Sequence, residues 1–264
     1  MFISNFLYIT AFICRCGGMV DAVDSKSIFS DKVLVRVQSS VLISMFKKFL
    51  ASYDIILFDF DGLLVDTEPL HFVAYKEMCF KNQVYLNWDF IRFCQEAHSS
   101  ALGIWKAFQK EFPSLLKEKS KDVLYQEKKE IYQELLKTAA LKLMPGVHSL
   151  LQALATSGTL SAVVTNSTRS QVEPVRKILS ILNVIPLWIT REDYPLAKPE
   201  PDGYLQAIEQ LGRKDRIIGF EDTLKGIHAL QAAKVEAVLV TPKCPEEIKG
   251  FIHLDRIDRI CLKA

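Results

Sequence analysis

Asp59-Phe60-Asp61-Gly62 places two carboxylates two residues apart, directly after the apolar run Tyr53 to Phe58. At a strand end, residues i and i+2 project to the same side, so both acids can serve one point in space. One could attack phosphorus while the other protonates the departing oxygen and later deprotonates water. Taken alone, an Asp-x-Asp-Gly segment is more often a turn or a calcium-like loop. Further polar groups suited to phosphoryl transfer follow along the chain: Thr165-Asn166, Lys198 and Glu221-Asp222. Lys198 lies among Pro195, Pro199 and Pro201, a stiff loop able to aim a cation at phosphate, although an isolated lysine is ordinarily a solvated surface charge. Thr165 and Asn166 also suit a strand-to-helix turn with a capping side chain. The two readings are compatible, because a helix amino terminus offers N–H groups to an anion.

Four apolar runs read as buried parallel strands with polar carboxyl ends: Tyr53 to Phe58, Thr159 to Val164, Arg216 to Phe220 and Glu236 to Val240. Helical patterns separate the later runs at Gln171 to Leu182, Asp202 to Leu211 and Leu224 to Lys234, and another at Val147 to Ser157 precedes the second. Alternation of this kind predicts an α/β fold, a doubly wound parallel sheet whose polar strand ends gather along one edge. About a hundred residues separate the first two strands, far more than a crossover requires. An inserted helical domain follows. Between Pro69 and Leu141 apolar residues recur at helical spacing, with Leu124, Ile131 and Leu135 marking one face of a long charged helix and Pro113 interrupting the pattern. Met144-Pro145-Gly146 marks the return to the main domain.

LFDFDGLLVDTEPLH (Leu57 to His71) resembles the first motif of the haloacid dehalogenase-like phosphatases. VVTNS (Val163 to Ser167), AKPEPDGY (Ala197 to Tyr204) and GFEDTLKGI (Gly219 to Ile227) resemble the second, third and fourth, in the family's order. The likeness spans Tyr53 to Val240 and points to the group with a helical cap, which includes sugar-phosphate phosphatases, pseudouridine-phosphate phosphatases and beta-phosphoglucomutases. It implies that Asp59 is the nucleophile, Asp61 the general acid and base, and Thr165, Asn166 and Lys198 the phosphate ligands. It also implies Mg²⁺ held by Asp59, the backbone carbonyl of Asp61, Glu221 and Asp222. Oxygen ligands suit a hard cation that offsets repulsion between nucleophile and phosphate, and the sequence shows no His or Cys cluster that would favour zinc. Thr223 stands where the family often has serine, and Lys234 near a frequent glycine. His71 falls at the expected hinge of the cap, and a helix-start residue is favoured over a substrate contact.

The composition, 49% hydrophobic and 24% charged among 264 residues, is that of a soluble globular protein of one main and one smaller domain. Thirty-three basic residues against 31 acidic ones argue against nucleic acid as a partner. The cysteines are scattered, and the close pair Cys14 and Cys16 has no second pair to complete a zinc site. A reducing cytoplasm, a small phosphate ester as partner and a monomer are expected. The apolar segment Met1 to Ile13 lacks a preceding basic residue and falls short of the roughly 20 residues that span a bilayer. Gly17 to Ser40 resembles a translated transfer-RNA gene: Val37-Gln38-Ser39 back-translates to a T-loop sequence. Residues 1–44 are therefore expected to be a non-native or disordered extension, with the protein proper starting at Met45. The core is expected over 45–66 and 143–264, and the helical cap over 67–142.

The cap decides the substrate in such proteins. Ala97 to Gly103 lacks the arginine with which the mutase pattern grips a second phosphate. A phosphatase for a sugar or nucleotide monophosphate is thus the first expectation. A phosphomutase using Arg92, Lys106 or Lys110 is the alternative, and a non-catalytic binding protein the third.

Overall fold

The computed structural model describes residues 40–100, 102–242 and 250–262. Most of the segment resembling a translated transfer-RNA gene, together with Cys14, Cys16 and Cys244, lies outside the described residues. A helix over residues 40–50 starts ahead of Met45 and buries Phe46, Phe49 and Leu50. Leu42 and Ile43 pack against the same core.

Four wholly buried residues make β1 (Ile55–Phe58). It lies between β2 (Leu160–Val164) and β4 (Ile217–Glu221), parallel to both. The sheet continues through β3 (Leu187–Ile189), β5 (Glu236–Val240) and β6 (Ile252–Leu254) in the order β3-β2-β1-β4-β5-β6. Phe58 is level with both Val163 and Phe220. Asp59, Val164 and Glu221 therefore leave the sheet side by side, at the point where the winding reverses and open α/β sheets bind ligands.

Side-chain alternation splits the core into two layers. Ile56, Phe58, Val163 and Phe220 face one side, where α6 (Val147–Leu154) packs. Ile55, Leu57, Ala162 and Val164 face the other, where Tyr204 and Ala207 of α8 (Asp202–Leu211) and Ile227 and Leu230 of α9 (Leu224–Ala232) cover them. The remaining core helix, α7 (Arg169–Ile178), starts two residues earlier than the sequence pattern suggests. The Gln171 side chain accepts from the Thr168 N–H at 3.0 Å and fixes that start. The edge strands β3 and β6 escape sequence reading because three residues are too few to show a period.

Between β1 and β2 the chain builds the inserted helical cap: α1 (Glu68–Lys81), α2 (Phe90–Ser99), α3 (Gly103–Glu111), α4 (Pro113–Glu118) and α5 (Lys121–Leu136). Pro113 opens α4, where its missing N–H costs nothing. On α5, Leu124, Ile131, Tyr132 and Leu136 are buried and Leu135 is half-buried. The two connections to the core run side by side. Val65 pairs with Leu143, Asp66 N–H donates to the Lys142 carbonyl, and Met144 N–H donates to that of Leu64, both at 3.0 Å.

Candidate active site

The predicted site residues gather at the carboxyl edge of the sheet, where all but Glu221, buried behind Lys198, line an open cavity of about 530 Å³. Asp59, Asp61, Thr165, Asn166, Lys198 and Asp222 line it from the core; His71, Trp105, Tyr125 and Lys128 line it from the cap.

Asp59 and Asp61 are near twins in sequence and opposites in surroundings. The Asp59 carboxylate accepts from Lys198 Nζ at 2.5 Å. Its ligand oxygen lies within 4.8 Å of those of Glu221 and Asp222. Burial first, then the charges of Glu221 and Asp61, push its carboxyl up to about 7 against the pull of Lys198. Burial, with Asp59, Glu68 and Glu221 beside it, likewise raises Asp222 well above its usual range. Two buried carboxylates, Asp59 and Glu221, share Lys198, and half-buried Asp222 stands beside them, so the three form an all-oxygen donor set with surplus negative charge, which fits a hard divalent cation.

The Asp61 carboxylate leans away from that cluster into a cradle of donors. Thr67 Oγ1 donates to it at 2.5 Å and Ser167 Oγ at 2.6 Å, while Thr165 Oγ1 is at 3.4 Å. His71 Nε2 lies 3.3 Å from it. Burial opposes its charge, but the hydrogen bond from His71, with the Ser167 and Thr67 hydroxyls, overcomes that and holds the carboxyl well below its usual range. His71 Nδ1 sits 2.6 Å from Lys128 Nζ. A charged Lys128 donating to Nδ1 leaves the proton on Nε2, directed at Asp61.

Lys198 is 3% exposed yet charged, because Asp59 and Glu221 outweigh the effect of burial. Its Nζ donates to Glu221 Oε1 at 2.6 Å and to the Val164 carbonyl at 2.7 Å, leaving it pinned at the strand ends. Glu221 also accepts from the Tyr204 hydroxyl at 2.5 Å. Asn166 Oδ1 takes the Tyr194 hydroxyl at 2.8 Å and Lys198 N–H at 3.2 Å, so it fixes the Lys198 loop while lining the cavity.

Gly62 has φ of +78°, and an added Cβ there would overlap Asp222 Oδ2. A Cβ on Gly226 would likewise overlap the Glu221 carboxylate. Both glycines make room for the acids.

His71 sits in the first turn of α1, as the favoured reading had it, and faces the cap interior rather than solvent, stacked on Tyr132 with Nε2 against Asp61, a partner its position in the sequence did not reveal. Thr67 and Ser167 lie inside the recognised motifs yet had no role from residue type alone. Lys128 was missed, although it stands four residues after Leu124 and three before Ile131, on the apolar stripe where a charge is out of place. Arg92, Lys106 and Lys110 are not among the residues lining the cavity. Arg92 pairs instead with Glu111 and stacks on Trp88, 4.9 Å from the ring centre.

A doubly wound core with a helical cap and this constellation defines a family. The chain belongs to the haloacid dehalogenase-like hydrolases, whose family model matches residues 56–240. It is 26% identical over 193 residues to the phosphorylated carbohydrates phosphatase of Thermotoga maritima, covering 69% of this chain and 82% of that one. It is 28% identical to 2-deoxyglucose-6-phosphate phosphatase 2 of Saccharomyces cerevisiae, covering 72% and 80% of the two chains. The crystal structure of CbbY from Rhodobacter sphaeroides in complex with phosphate superposes with a TM-score of 0.65 at 21% identity, covering 79% of this chain and 96% of that one.

Proposed function

We propose that this protein is a Mg²⁺-dependent phosphatase that hydrolyses a small phosphate monoester, a sugar phosphate or nucleoside monophosphate, through a phosphorylated Asp59. The observation carrying this reading is the contrast between Asp59, set among carboxylates against Lys198, and Asp61, set in a cradle of hydroxyls and His71. Family membership and the phosphatases among its relatives support it.

In the first half-reaction an Asp59 oxygen attacks phosphorus, the bond from phosphorus to the ester oxygen breaks, and that oxygen takes from Asp61 a proton that the ionised carboxylate has first taken up from solvent as the anionic ester binds beside it. In the second, ionised Asp61 takes a proton from water, whose oxygen attacks phosphorus and restores the Asp59 carboxylate as inorganic phosphate leaves. Lys198 balances charge on the nucleophile and the transferred group, and Thr165 donates a hydroxyl to the phosphoryl oxygens, with Asn166 beside it. Asp59, Glu221, Asp222 and the Asp61 carbonyl are the ligands for Mg²⁺, which supplies charge neutralisation between nucleophile and phosphate when bound. The hydrogen bonds to Asp61 favour its ionised form, the one the second step uses. The side-by-side connections at Val65 and Leu143 support division of the chain into a core over 45–66 and 143–264 and a cap over 67–142.

A panel of phosphate esters tests this, with inorganic phosphate measured in millimolar Mg²⁺ and after chelation. Release of phosphate from sugar or nucleoside phosphates, abolished by chelation and restored by Mg²⁺, is expected. Isomerisation of a hexose phosphate without net phosphate release would instead indicate a mutase, and inertness toward every ester a binding protein.

A further inference from the structure

Apart from the carboxylate cluster, folding brings together three residues that the sequence keeps separate. Glu68 opens α1, while Cys94 and His98 lie one helical turn apart on α2, a spacing that sets both side chains on one face. Cys94 Sγ is 3.7 Å from Glu68 Oε2, and His98 Nε2 hydrogen-bonds Glu68 Oε1. One ligand atom from each lies within 4.8 Å of the other two. Bond lengths of about 2.3 Å to sulfur and about 2.0–2.2 Å to nitrogen and oxygen imply ligand separations of roughly 3.3–3.7 Å around a tetrahedral ion. The Cys94 to Glu68 separation of 3.7 Å already falls in that range. All three residues are half-buried, and Glu68 and His98 line the cavity, so an ion has a path in.

We propose that Glu68, Cys94 and His98 form a second metal site, distinct from the carboxylate cluster, that takes a zinc-like divalent ion with its fourth position open to the cavity. Thiolate and imidazole suit a borderline-soft ion, whereas Asp59, Glu221 and Asp222 offer only oxygen and suit Mg²⁺. Ligand chemistry thus sorts two metals between neighbouring positions. The two sites share a wall, since a Cβ at Gly62 would meet Glu68 Cδ at 3.4 Å as well as the Asp222 carboxylate. An ion here ties the start of α1 to α2, whose Ala97 carbonyl already accepts from Lys225 Nζ of the core at 2.8 Å. The site does not depend on which ester, if any, the enzyme cleaves.

The test uses the full chain, stripped with chelator and returned to millimolar Mg²⁺ to fill the carboxylate cluster. Co²⁺ is then titrated as a spectroscopic substitute for Zn²⁺. The expected result is a thiolate-to-cobalt charge-transfer band that saturates at one equivalent and is displaced by Zn²⁺. The band should be absent from Cys94→Ser, and His98→Ala should bind at least about tenfold more weakly, with circular dichroism reporting that both variants are folded. Cobalt bound at the carboxylate cluster has no sulfur ligand and gives no such band. Absence of the band from the wild type, or an equal band in Cys94→Ser, overturns the proposal.

Discussion

Lys128 is a lysine only 2% exposed, set inside the cap. Its ammonium lies 5.0 Å from the ring centre of Tyr75, 5.8 Å from that of Tyr125 and 5.1 Å from that of Tyr132, faces that favour the charged form. Burial nevertheless lowers its pKa from 10.5 to about 7, with Asp61 pulling it up and Lys129 pulling it down. A folded pKa below the unfolded one means that, between these values, the unfolded chain holds a proton the folded chain has released. Stability therefore rises with pH through that window, and below it the folded state carries the whole cost of the buried charge. Replacing Lys128 by Met removes this dependence. The variant's gain in urea midpoint over wild type should be largest near pH 6 and shrink toward pH 10; a pH-independent difference contradicts the assignment. That the acids, Thr165, Asn166 and Lys198 come together was legible because they fall at strand ends or within the motifs. The cradle around Asp61 was less so, since nothing local says that Thr67, His71 and Ser167 will converge on one carboxylate.

The elements hold the acids by close approach as much as by hydrogen bonds. Gly226 sits in the first turn of α9, where Thr223 Oγ1 caps its N–H at 3.3 Å and the helix presses against buried Glu221. Gly226→Ala drives a methyl group into a carboxylate fixed by Lys198 and Tyr204, so a loss of about 1–3 kcal/mol is expected, with a raised Mg²⁺ requirement. Urea unfolding and Mg²⁺ activation curves check this, and an unchanged variant would show that Glu221 moves freely. The major strands and helices were readable from their periods, including the long apolar face of α5. Lys234, noted as standing near a frequent glycine, has φ of +60°, a left-handed turn between α9 and β5 that explains why glycine suits the place. The Glu68, Cys94 and His98 grouping was not readable, because it depends on how α1 meets α2.

At the scale of the whole molecule, core residues line the cavity from the carboxyl edge of the sheet and the cap lines it from the other side, through His71 and Lys128 among others. Among the described residues no helix is long and apolar enough to cross a membrane. The identity of the ester was not legible, because the cap side chains that line the cavity take their places from helix packing rather than from motif. The central claim is that two acids two residues apart divide the work, Asp59 forming a bond to phosphorus and Asp61 only moving protons. An activated ester such as nitrophenyl phosphate needs little protonation to depart, so it separates the two roles. The most direct measurement is intact-mass or rapid-quench detection of a phosphorylated chain with this ester in wild type, Asp59→Asn and Asp61→Asn. Asp61→Asn should accumulate phosphoenzyme that hydrolyses slowly, while Asp59→Asn should form none and lose at least about a thousandfold in turnover. A phosphorylated chain in Asp59→Asn, or wild-type turnover in both variants, would contradict the account.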